Sequence, residues 1–458
     1  MVSQSRDSVR SATPTSVQNP LPKASGAESV QILRDVQLPM VAKGPIVRRP
    51  KIVGAVERLG LEGRAVRRMQ TLSEKYARGP VMLSGPKKMA VVLDPDHVHR
   101  ILDETPEPFA TAETLKRQAL THFEPKVALI SHGTERAERR RLNEEVLGAD
   151  DLIHPWARQL LPIVEEEAAG LLDTVAQQGG TLDWTTYINA WFRVVRRVVL
   201  GDSAREDTEL TELIEKLRSR GNWASFRPVN RSGRKELLEG IDAALDRAEP
   251  GSLAAYMAEV AGRRPQQEDS QPAHQIPQWL FAFDPAGMAS FRALALLGAH
   301  PDRLDSVRLQ IAAESEESVA RLELLRATLL ESLRLWPTTP LVLRETTQEV
   351  EFEYGVMPAG TSVLIFAPFF HRDERRLDFA HRFSPELWEQ ERTQGDWPLV
   401  PFSLGPGICP GRHLVALLTS HFLARIVEEH DLELTSHRLQ PGDLPSLLNN
   451  YRLAFRLR

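Results

Sequence analysis

Apolar residues recur at spacings of three and four along most of this 458-residue chain, which is the period of an amphipathic α-helix. The pattern predicts a helix over 52–78 that ends at Gly79, mostly helical structure from 151 to 250, and a long apolar helix over 274–299. A loop over 223–234 is predicted to interrupt the second of these regions. The body of the molecule is therefore predicted to be helical.

A few apolar stretches are too short for helices and predict a small sheet. Residues 80–93 are predicted to form a hairpin around 84–88, after which Asp94 caps a short helix. Two further strands are predicted over 349–354 and 361–367. A small sheet beside many helices indicates an α+β fold that is mainly α.

The domain organisation follows from length and from the polar stretches. Length alone suggests about three domains. However, no Gly/Ser-rich linker divides the chain, and its most polar interior stretch, 262–273, is typical of a surface connection between helices. We therefore expect one large domain over 31–458. Residues 1–30 are rich in Ser, Gln and Thr with few large apolar side chains, which predicts a disordered leader.

Composition narrows the class of protein. The chain is 42% hydrophobic and 26% charged, as in ordinary globular proteins, and its net charge of -5 gives no reason to expect a nucleic-acid partner. A single cysteine rules out an internal disulfide and fits a reducing cytoplasm. No run of about 18 apolar residues and no apolar signal core is present, so we expect no membrane anchor. We expect a cytoplasmic monomer.

The one cysteine lies in the run Phe402-Ser-Leu-Gly405-Pro-Gly407-Ile-Cys409-Pro-Gly411. A thiolate is a good metal ligand, and neighbouring glycines let backbone amides turn toward the sulfur and let a flat cofactor approach closely. A lone cysteine is otherwise most often a buried small hydrophobe. The pattern aromatic-x-x-Gly-x-x-x-Cys-x-Gly before a helical stretch favours a metal ligand.

Glu331 and Arg334 are three residues apart, on one face of a predicted helix, and can pair. Such pairs are common on surfaces, where they contribute little to stability. Here the neighbours are leucines and Trp336, which indicates that both charges are partly buried and must satisfy each other.

Together these motifs, in this order, resemble the cytochrome P450 family, in its soluble bacterial form, from about residue 40 to the end. The resemblance implies the P450 fold and a b-type haem whose iron is ligated by the Cys409 thiolate. It also implies that Phe402, Gly405 and Gly411 shape the ligand loop and contact the cofactor. In the same way it implies that the Glu331–Arg334 helix pins this loop.

Two positions depart from the family pattern on this side of the haem. The family usually carries Arg or His where this chain has Gly407, and the resemblance assigns Arg136, Arg140 and Arg344 to the haem propionates in compensation. A solvent-exposed basic face is the alternative for the arginines of the 136–141 run.

The second departure concerns the third partner of the Glu331–Arg334 pair. The family supplies an arginine from a Pro-Glu-Arg-Phe-like element, and here that position is Leu387. Leucine cannot complete the network, so we expect Arg382 to substitute for the missing arginine.

The long apolar helix corresponds to the family's oxygen-activating helix, which usually carries an acid followed by an alcohol. Counting back from the His-Pro that follows the helix, the catalytic segment is Asp284-Pro285-Ala286, which keeps the acid and loses the alcohol. A second register, one turn later, keeps an alcohol at Ser290 and loses the acid. A proline inside a helix is unfavourable by about 3 kcal/mol, so a kink is expected near 281–285.

The resemblance implies a monooxygenase that inserts oxygen from dioxygen into a small apolar or aromatic organic molecule, in secondary metabolism. The loop over 223–234 would be a lid, above a pocket floored by Phe281, Phe283 and Met288. The chain has no Gly-rich phosphate loop of a fused reductase. Electrons are therefore expected from NAD(P)H through a separate ferredoxin and ferredoxin reductase, docked by unused arginines of the 136–141 run.

Three alternatives stay open. The missing alcohol also suits a peroxide-driven or oxidative-coupling enzyme of the same family. A haem-binding sensor or other non-oxidative haem protein would keep the ligand loop without the proton relay. A haem-free helical protein with a structural cysteine is the third alternative.

Overall fold

The computed structural model describes residues 19–76, 79–263, 268–314, 319–390, 392–393 and 395–458. Within these ranges the chain forms seventeen α-helices and ten β-strands. The helices are α1 Gly26–Ile32, α2 Leu38–Lys43, α3 Pro50–Arg58, α4 Leu61–Lys75, α5 Pro95–Asp103, α6 Thr114–Leu120, α7 Gly133–Val146, α8 Ala157–Gln177, α9 Trp184–Leu200, α10 Glu209–Gly221, α11 Arg231–Arg247, α12 Leu253–Gly262, α13 Ile276–Ala299, α14 Pro301–Ala313, α15 Glu323–Leu335, α16 Ala367–His371 and α17 Arg412–Val427. The strands are β1 Val81–Met82, β2 Met89–Val91, β3 Phe109–Ala110, β4 Thr181–Asp183, β5 Leu341–Thr346, β6 Val350–Phe352, β7 Gly355–Met357, β8 Ser362–Phe366, β9 Leu432–Leu434 and β10 Ala454–Leu457.

The helical body is built around α13, which packs against α9, α15 and α17. The sequence predicted this helix over 274–299, and the structure confirms it. The segment Pro272–Ala299 is long and apolar enough to cross a membrane, but 78% of its most apolar part is buried inside the protein. Its length and apolar character therefore match those of a core helix. The chain stays helical through Pro285.

Aromatic side chains fill the contact between α9 and α13. The phenol of Tyr187 packs against Phe291, with ring centres 4.6 Å apart, and Trp191 packs edge-on against Phe422 of α17. The indole of Trp191 also donates a hydrogen bond of 2.8 Å to the carbonyl of Phe283. These contacts fix the orientation of α13 about its own axis, and so decide which of its side chains point away from α9.

The sheets lie mainly around the edges of this helical body. Five strands form one sheet in the order β1-β2-β8-β5-β3, in which β2 and β8 are parallel and the other pairs are antiparallel. Among the described residues there is also a three-stranded sheet β4-β10-β9 and a β6-β7 pair. The predicted hairpin of residues 80–93 is confirmed as β1 and β2. The mainly α fold with a small sheet region is confirmed as well.

The predicted leader boundary at residue 30 is wrong. Residues 1–18 lie outside the described residues, but the chain from 19 onward is folded. Leu21 is 4% exposed, Ala24 donates its backbone N–H to the carbonyl of Met82, and Ser25 and Glu28 form a capping box that starts α1. The average composition of residues 1–30 did not reveal this capping box, which starts an ordered helix.

Two helix boundaries also differ from the prediction. The single helix expected over 52–78 is divided into α3 and α4 at Gly60, whose φ of +60° is a left-handed conformation that ends one helix before the next begins. The loop expected over 223–234 is shorter at its C-terminal side. The Asn230 side chain accepts the backbone N–H of Gly233 and starts α11 at Arg231, so the connection between helices ends at residue 230.

Candidate active site

The loop that carries Cys409 is held in one conformation by its own backbone. The amide of Cys409 donates to the carbonyl of Phe402 at 2.9 Å, and the amide of Ile408 donates to the carbonyl of Gly405 at 2.9 Å. Gly405 has φ +59°, and a Cβ added there would overlap the carbonyl oxygen of Leu102 in α5. This position therefore requires glycine both for its backbone conformation and for space.

The sulfur of Cys409 lies in a partly buried and electropositive environment. Burial raises the pKa of the Cys409 thiol, whereas a hydrogen bond from the backbone amide of Gly411 and the charges of Arg140 and Arg412 act in the opposite direction. Polar groups thus surround the sulfur in the arrangement a thiolate needs, yet burial keeps it from ionising freely. A bound metal ion would oppose the effect of burial, so this environment suits a cysteine that ligates a metal.

The three arginines that the sequence assigned to the haem edge all lie against this loop. Arg136 donates to the carbonyl of Pro406 at 3.3 Å, and Arg140, one turn later on α7, donates to the carbonyl of Ile408 at 2.7 Å. Arg344, on β5, reaches Ser403 Oγ at 3.2 Å. Residues from two distant parts of the chain therefore meet at the loop.

Two of these arginines carry buried charge without an acidic partner. Arg136 is 8% exposed and Arg344 is 3% exposed, and among the described residues neither forms an ion pair. Burial, followed by repulsion from Arg136, lowers the pKa of Arg344 to about 10. Buried cations normally have counter-ions. Their absence fits a site for the carboxylates of a haem.

Sequence reasoning missed a further cation in the same place. Lys116 of α6 donates to the carbonyls of Thr111 and Leu343, at 2.8 and 3.2 Å. Desolvation, and then the charge of Arg344, lowers the pKa of Lys116 to about 7. An anion bound beside Arg344 would therefore raise the pKa of both groups. Lys116 carried no sequence signal because only the fold brings α6 beside β5.

The structure shows what a side chain at position 407 would meet. A Cβ at this position would lie 2.7 Å from Nη2 of Arg344 and 3.3 Å from the methyl group of Thr105. The Arg344 guanidinium therefore occupies the space that a side chain at 407 would need. Gly407 therefore leaves room for the Arg344 guanidinium, and this chain carries a cation from Arg344 close to where the family usually has one at position 407.

The Glu331–Arg334 pair is confirmed and is fully buried. Arg334 Nε and Nη2 donate to the two carboxylate oxygens of Glu331 at 2.6 and 2.8 Å, and both side chains are 0% exposed. The remaining donors of Arg334 reach the segment that precedes the Cys409 loop. Their acceptors are the backbone carbonyls of His371, Phe379, Ala380 and Arg382.

The expectation that Arg382 completes this network is wrong. Its side chain lies on the surface, 3.4 Å from Asp378, and only its carbonyl contacts Arg334. Instead, the indole of Trp388 donates to Glu331 Oε1 and the amide of Ser384 donates to Oε2, each at 2.9 Å. A neutral donor therefore replaces the missing arginine, from the residue after Leu387.

His371 connects this network to the ligand loop. Its Nε2 accepts the backbone N–H of Val400 at 2.9 Å, and its Nδ1 lies 3.1 Å from the carbonyl of Arg334. Burial, with repulsion from Arg334, lowers the pKa of His371 to about 3, so the ring is neutral and Nδ1 carries the proton. Two hydrogen bonds thus connect Arg334 on α15, through His371, to Val400 in the segment that leads into the Cys409 loop.

On α13, Asp284 is engaged in an ion pair. Its Oδ2 lies 3.0 Å from Nη2 of Arg218 on α10, a residue that is 5% exposed and lies over the Phe281 ring at 4.2 Å. Asp284 and Pro285 are half-buried, whereas Ala286 is buried. The sequence predicted the acid but not its partner, since residues on α10 and α13 meet only in the fold.

The second register of the catalytic segment is not supported. Ser290 is fully buried, and its hydroxyl lies 2.8 Å from the carbonyl of Ala286 and 2.7 Å from the hydroxyl of Tyr187, from which it accepts a hydrogen bond. The side chain therefore points into the contact with α9. The alternative alcohol is used in helix packing, which leaves Asp284-Pro285-Ala286 as the candidate segment.

Comparison with known proteins gives a family model that matches residues 47–242 and 287–451, described as Cytochrome P450. The similar curated proteins include Cytochrome P450 4g15 of Drosophila melanogaster, 26% identical over 46% of this chain and 38% of that protein. Another is Cyclooctat-9-en-7-ol 5-monooxygenase of Streptomyces melanosporofaciens, 33% identical over 29% of this chain and 30% of that protein. The chain thus spans well under half the length of these relatives.

A solved structure supports the fold. The crystal structure of a 6-coordinated cytochrome P450 from Thermus thermophilus superposes with a TM-score of 0.60, covering 86% of this chain and 98% of that one at 20% identity. The two segments matched by the family model contain Arg136, Glu331, Arg334 and Cys409. Asp284 to Ala286 fall in the gap between them, where this chain departs from the family pattern.

Replacing Trp388 by Phe should weaken the buried network, because Glu331 would lose one donor while staying charged and desolvated. Hydrogen bonds to charged groups contribute about 1.5–3 kcal/mol. We expect the free energy of unfolding, measured by denaturant titration, to fall by an amount in that range. The exposed Trp223→Phe serves as a matched control, since surface changes usually stay within about 0.5 kcal/mol. Equal effects of the two substitutions would contradict a role for Trp388 in the network.

Proposed function

Because the chain belongs to the cytochrome P450 family, we propose that it is a haem-thiolate monooxygenase of EC 1.14 type. It inserts one oxygen atom from dioxygen into a small organic molecule with an apolar or aromatic body, in secondary metabolism. The observation that carries this proposal is the loop of Cys409, bordered by the buried cations Arg136 and Arg344, which have no acidic partner in the described part of the chain. When bound, a b-type haem supplies the activation of dioxygen, which its thiolate ligand promotes.

In this proposal each residue of the site has a defined task toward the haem. Cys409 would supply the thiolate ligand, and the amide of Gly411 would stabilise its negative charge. Arg136, Arg140 and Arg344 bind the propionates. Phe402 and Gly405 fix the loop, as their backbone contacts indicate. Glu331 and Arg334 position the loop from behind and do not contact the substrate.

Proton delivery falls to Asp284. Pro285 has neither a hydroxyl nor a backbone N–H, so the residue after the acid cannot pass on a proton. A water molecule, or a hydroxyl of the substrate, must therefore bridge Asp284 to the reacting oxygen. Arg218 contacts the carboxylate at 3.0 Å and so fixes its orientation. Ala286, the third residue of the segment, is buried and has no group that could take part.

The electron source is proposed to be NAD(P)H, through a separate ferredoxin and ferredoxin reductase in the cytoplasm. In the 136–141 run, Arg136 and Arg140 contact the ligand loop and Arg139 is buried beside Ser131, whereas Arg141 is exposed. Arg141 is therefore the arginine of this run that suits an acidic electron donor. We propose a monomer that needs neither nucleic acid nor membrane.

A peroxide-driven enzyme of the same family is the second candidate. Two observations favour it. Pro285 stands where an alcohol would be, and the Asp284 carboxylate forms an ion pair with Arg218. Hydrogen peroxide already carries the two electrons that a reductase would otherwise supply and the two protons that this relay would otherwise deliver. The haem-free alternative leaves the buried cations Arg136 and Arg344 without a counter-ion among the described residues. A non-oxidative haem protein would use the same cations, and the absence of any oxygenated product would favour it.

The two candidates are separated by the source of the oxygen atom. Incubation with NAD(P)H, a ferredoxin–reductase pair, ¹⁸O₂ and a panel of alkylbenzenes and indoles should give a product with one ¹⁸O atom, detected by mass spectrometry. Omitting the reductase should abolish it. Product formed equally well from hydrogen peroxide alone, without reductase, would contradict the monooxygenase proposal and favour the second candidate.

Asp284→Asn should uncouple reductant use from product formation, because an amide cannot accept and return the proton. General acid–base groups contribute about 10²–10⁴ in rate, so we expect product per NAD(P)H consumed to fall at least about tenfold. The exposed Asp302→Asn on α14 is the matched control and should leave this ratio unchanged. An unchanged ratio in Asp284→Asn would show that Asp284 does not deliver protons.

A further inference from the structure

A second polar site lies away from the Cys409 loop, in a small cavity between the N-terminal helices, α13 and the C-terminal segment. Its volume is about 40 Å³, enough for a carboxylate group or one or two water molecules. Six polar or charged side chains are prominent in its lining. They are Lys43, Arg48, Glu62, Arg292, Asn450 and Tyr451.

The cavity contains more positive than negative charge. Arg292 is 5% exposed and donates to neutral acceptors, the carbonyls of Leu448 and Trp336 and the side chain of Asn450, at 2.8, 3.2 and 3.1 Å. Arg48 likewise donates to the carbonyls of Gly44 and Thr338, at 2.6 and 2.7 Å. Among the described residues, neither arginine has a carboxylate partner.

Lys43 does have such a partner, since its ammonium group binds Glu62. Even so, three cations face one lining carboxylate. Burial is the first cause that lowers the pKa values of Lys43, Arg48 and Arg292, the last to about 10. A bound anion would oppose each of these shifts.

Unsatisfied polar atoms also point to an occupant. Among the described residues, the buried Nδ2 of Asn450 has no hydrogen-bond partner and can donate to an anion, whereas the buried and unpaired Oε2 of Glu62 can only accept a hydrogen bond, for example from water. A buried polar atom left unpaired is destabilising by about 1–3 kcal/mol. The free donor of Asn450, beside Arg292, suits an acceptor oxygen.

The cavity is aligned with the proposed reaction site along α13. Asp284, Met288 and Arg292 are spaced four residues apart, so they lie on one side of the helix. With a rise of 1.5 Å per residue, Arg292 lies about 12 Å along the helix from Asp284. Asp284 also acts electrostatically on Arg48 and Tyr451 of the cavity. A molecule bound at both places would therefore have its two ends about 12 Å apart.

A surface groove adjoins the cavity and gives it a route to solvent. The groove has a volume of about 820 Å³ and shares lining residues Glu62, Pro368, Ser446 and Leu447 with the cavity. Its wall includes five arginines, Arg58, Arg67, Arg372, Arg438 and Arg452, and four acids, Glu57, Glu62, Glu374 and Asp443, so positive side chains are in slight excess. Clefts that carry positive side chains raise the local concentration of anions.

We propose that Lys43, Arg48 and Arg292 bind the carboxylate group of a small organic substrate, whose apolar or aromatic body lies past Met288 toward Asp284. This inference rests on the proposed function and narrows its substrate class to a monocarboxylate with an apolar body. The ionised group is held by the cations and by the free donor of Asn450, while the far end of the molecule reaches the reacting oxygen.

Matched acids and amides test this subsite directly. The haem-loaded, full-length ferric protein would be titrated with straight-chain and phenyl-substituted carboxylates, such as 4-phenylbutyrate, and with the corresponding amides. Binding would be followed both by the shift of the Soret band and by equilibrium dialysis. Charge-assisted bonds contribute about 1.5–3 kcal/mol, so the best-binding acid should bind at least about tenfold more tightly than its amide.

Substitutions then assign the preference to the cavity. Arg48→Gln and Arg292→Gln should each weaken carboxylate binding about tenfold, because one charged donor is lost, while amide binding stays within about twofold. Arg425→Gln, an exposed arginine on α17, changes the net charge equally and should change neither. Arg48 lies in the connection between α2 and α3, so it gives a second variant if Arg292→Gln fails to fold.

Two results would overturn the subsite. The first is that no acid of the series binds more tightly than its amide. The second is that the folded variants keep the full preference. A normal haem–thiolate spectrum together with either result would reject the subsite and leave the proposed function standing. Absence of that spectrum would reject the proposed function itself.

Discussion

The position of Cys409 depends on the buried ion pair between Glu331 and Arg334. Two ionised groups at 0% exposure are unstable unless every donor and acceptor is satisfied, and here the satisfying groups are backbone carbonyls and amides of the chain that leads into the ligand loop. The requirement to satisfy these charges therefore folds that segment around α15. His371 passes the constraint on to Val400, a few residues before the loop begins.

A second constraint is unbalanced buried charge. Burial lowers the pKa values of basic side chains in two places. Near the ligand loop these are Arg136, Arg344 and Lys116, and at the cavity along α13 they are Arg48 and Arg292. In both places the protein retains positive charge that burial disfavours, which is reasonable if a ligand supplies the negative charge. In our proposals the haem propionates do so at the first site, and the carboxylate of the substrate does so at the second.

The sequence predicted the features that neighbouring residues form and missed those that depend on contacts between distant parts of the chain. The cysteine loop, the i, i+3 pair on α15 and the long apolar helix are written in neighbouring residues, and the structure has them where they were predicted. Trp388, Lys116 and Arg218 were missed because each acts on a residue far away in the chain. Gly407 shows the same limit: its lack of a side chain is understood only once Arg344 is seen in that space.

The central claim is that Cys409 is the thiolate ligand of a haem, and the optical spectrum of the reduced, carbon-monoxide-bound protein tests it most directly. The account predicts the long-wavelength Soret band typical of thiolate-ligated haem in the purified protein, and loss of that band in Cys409→Ala. The absence of this band from the native protein, or an identical band in Cys409→Ala, would contradict the account.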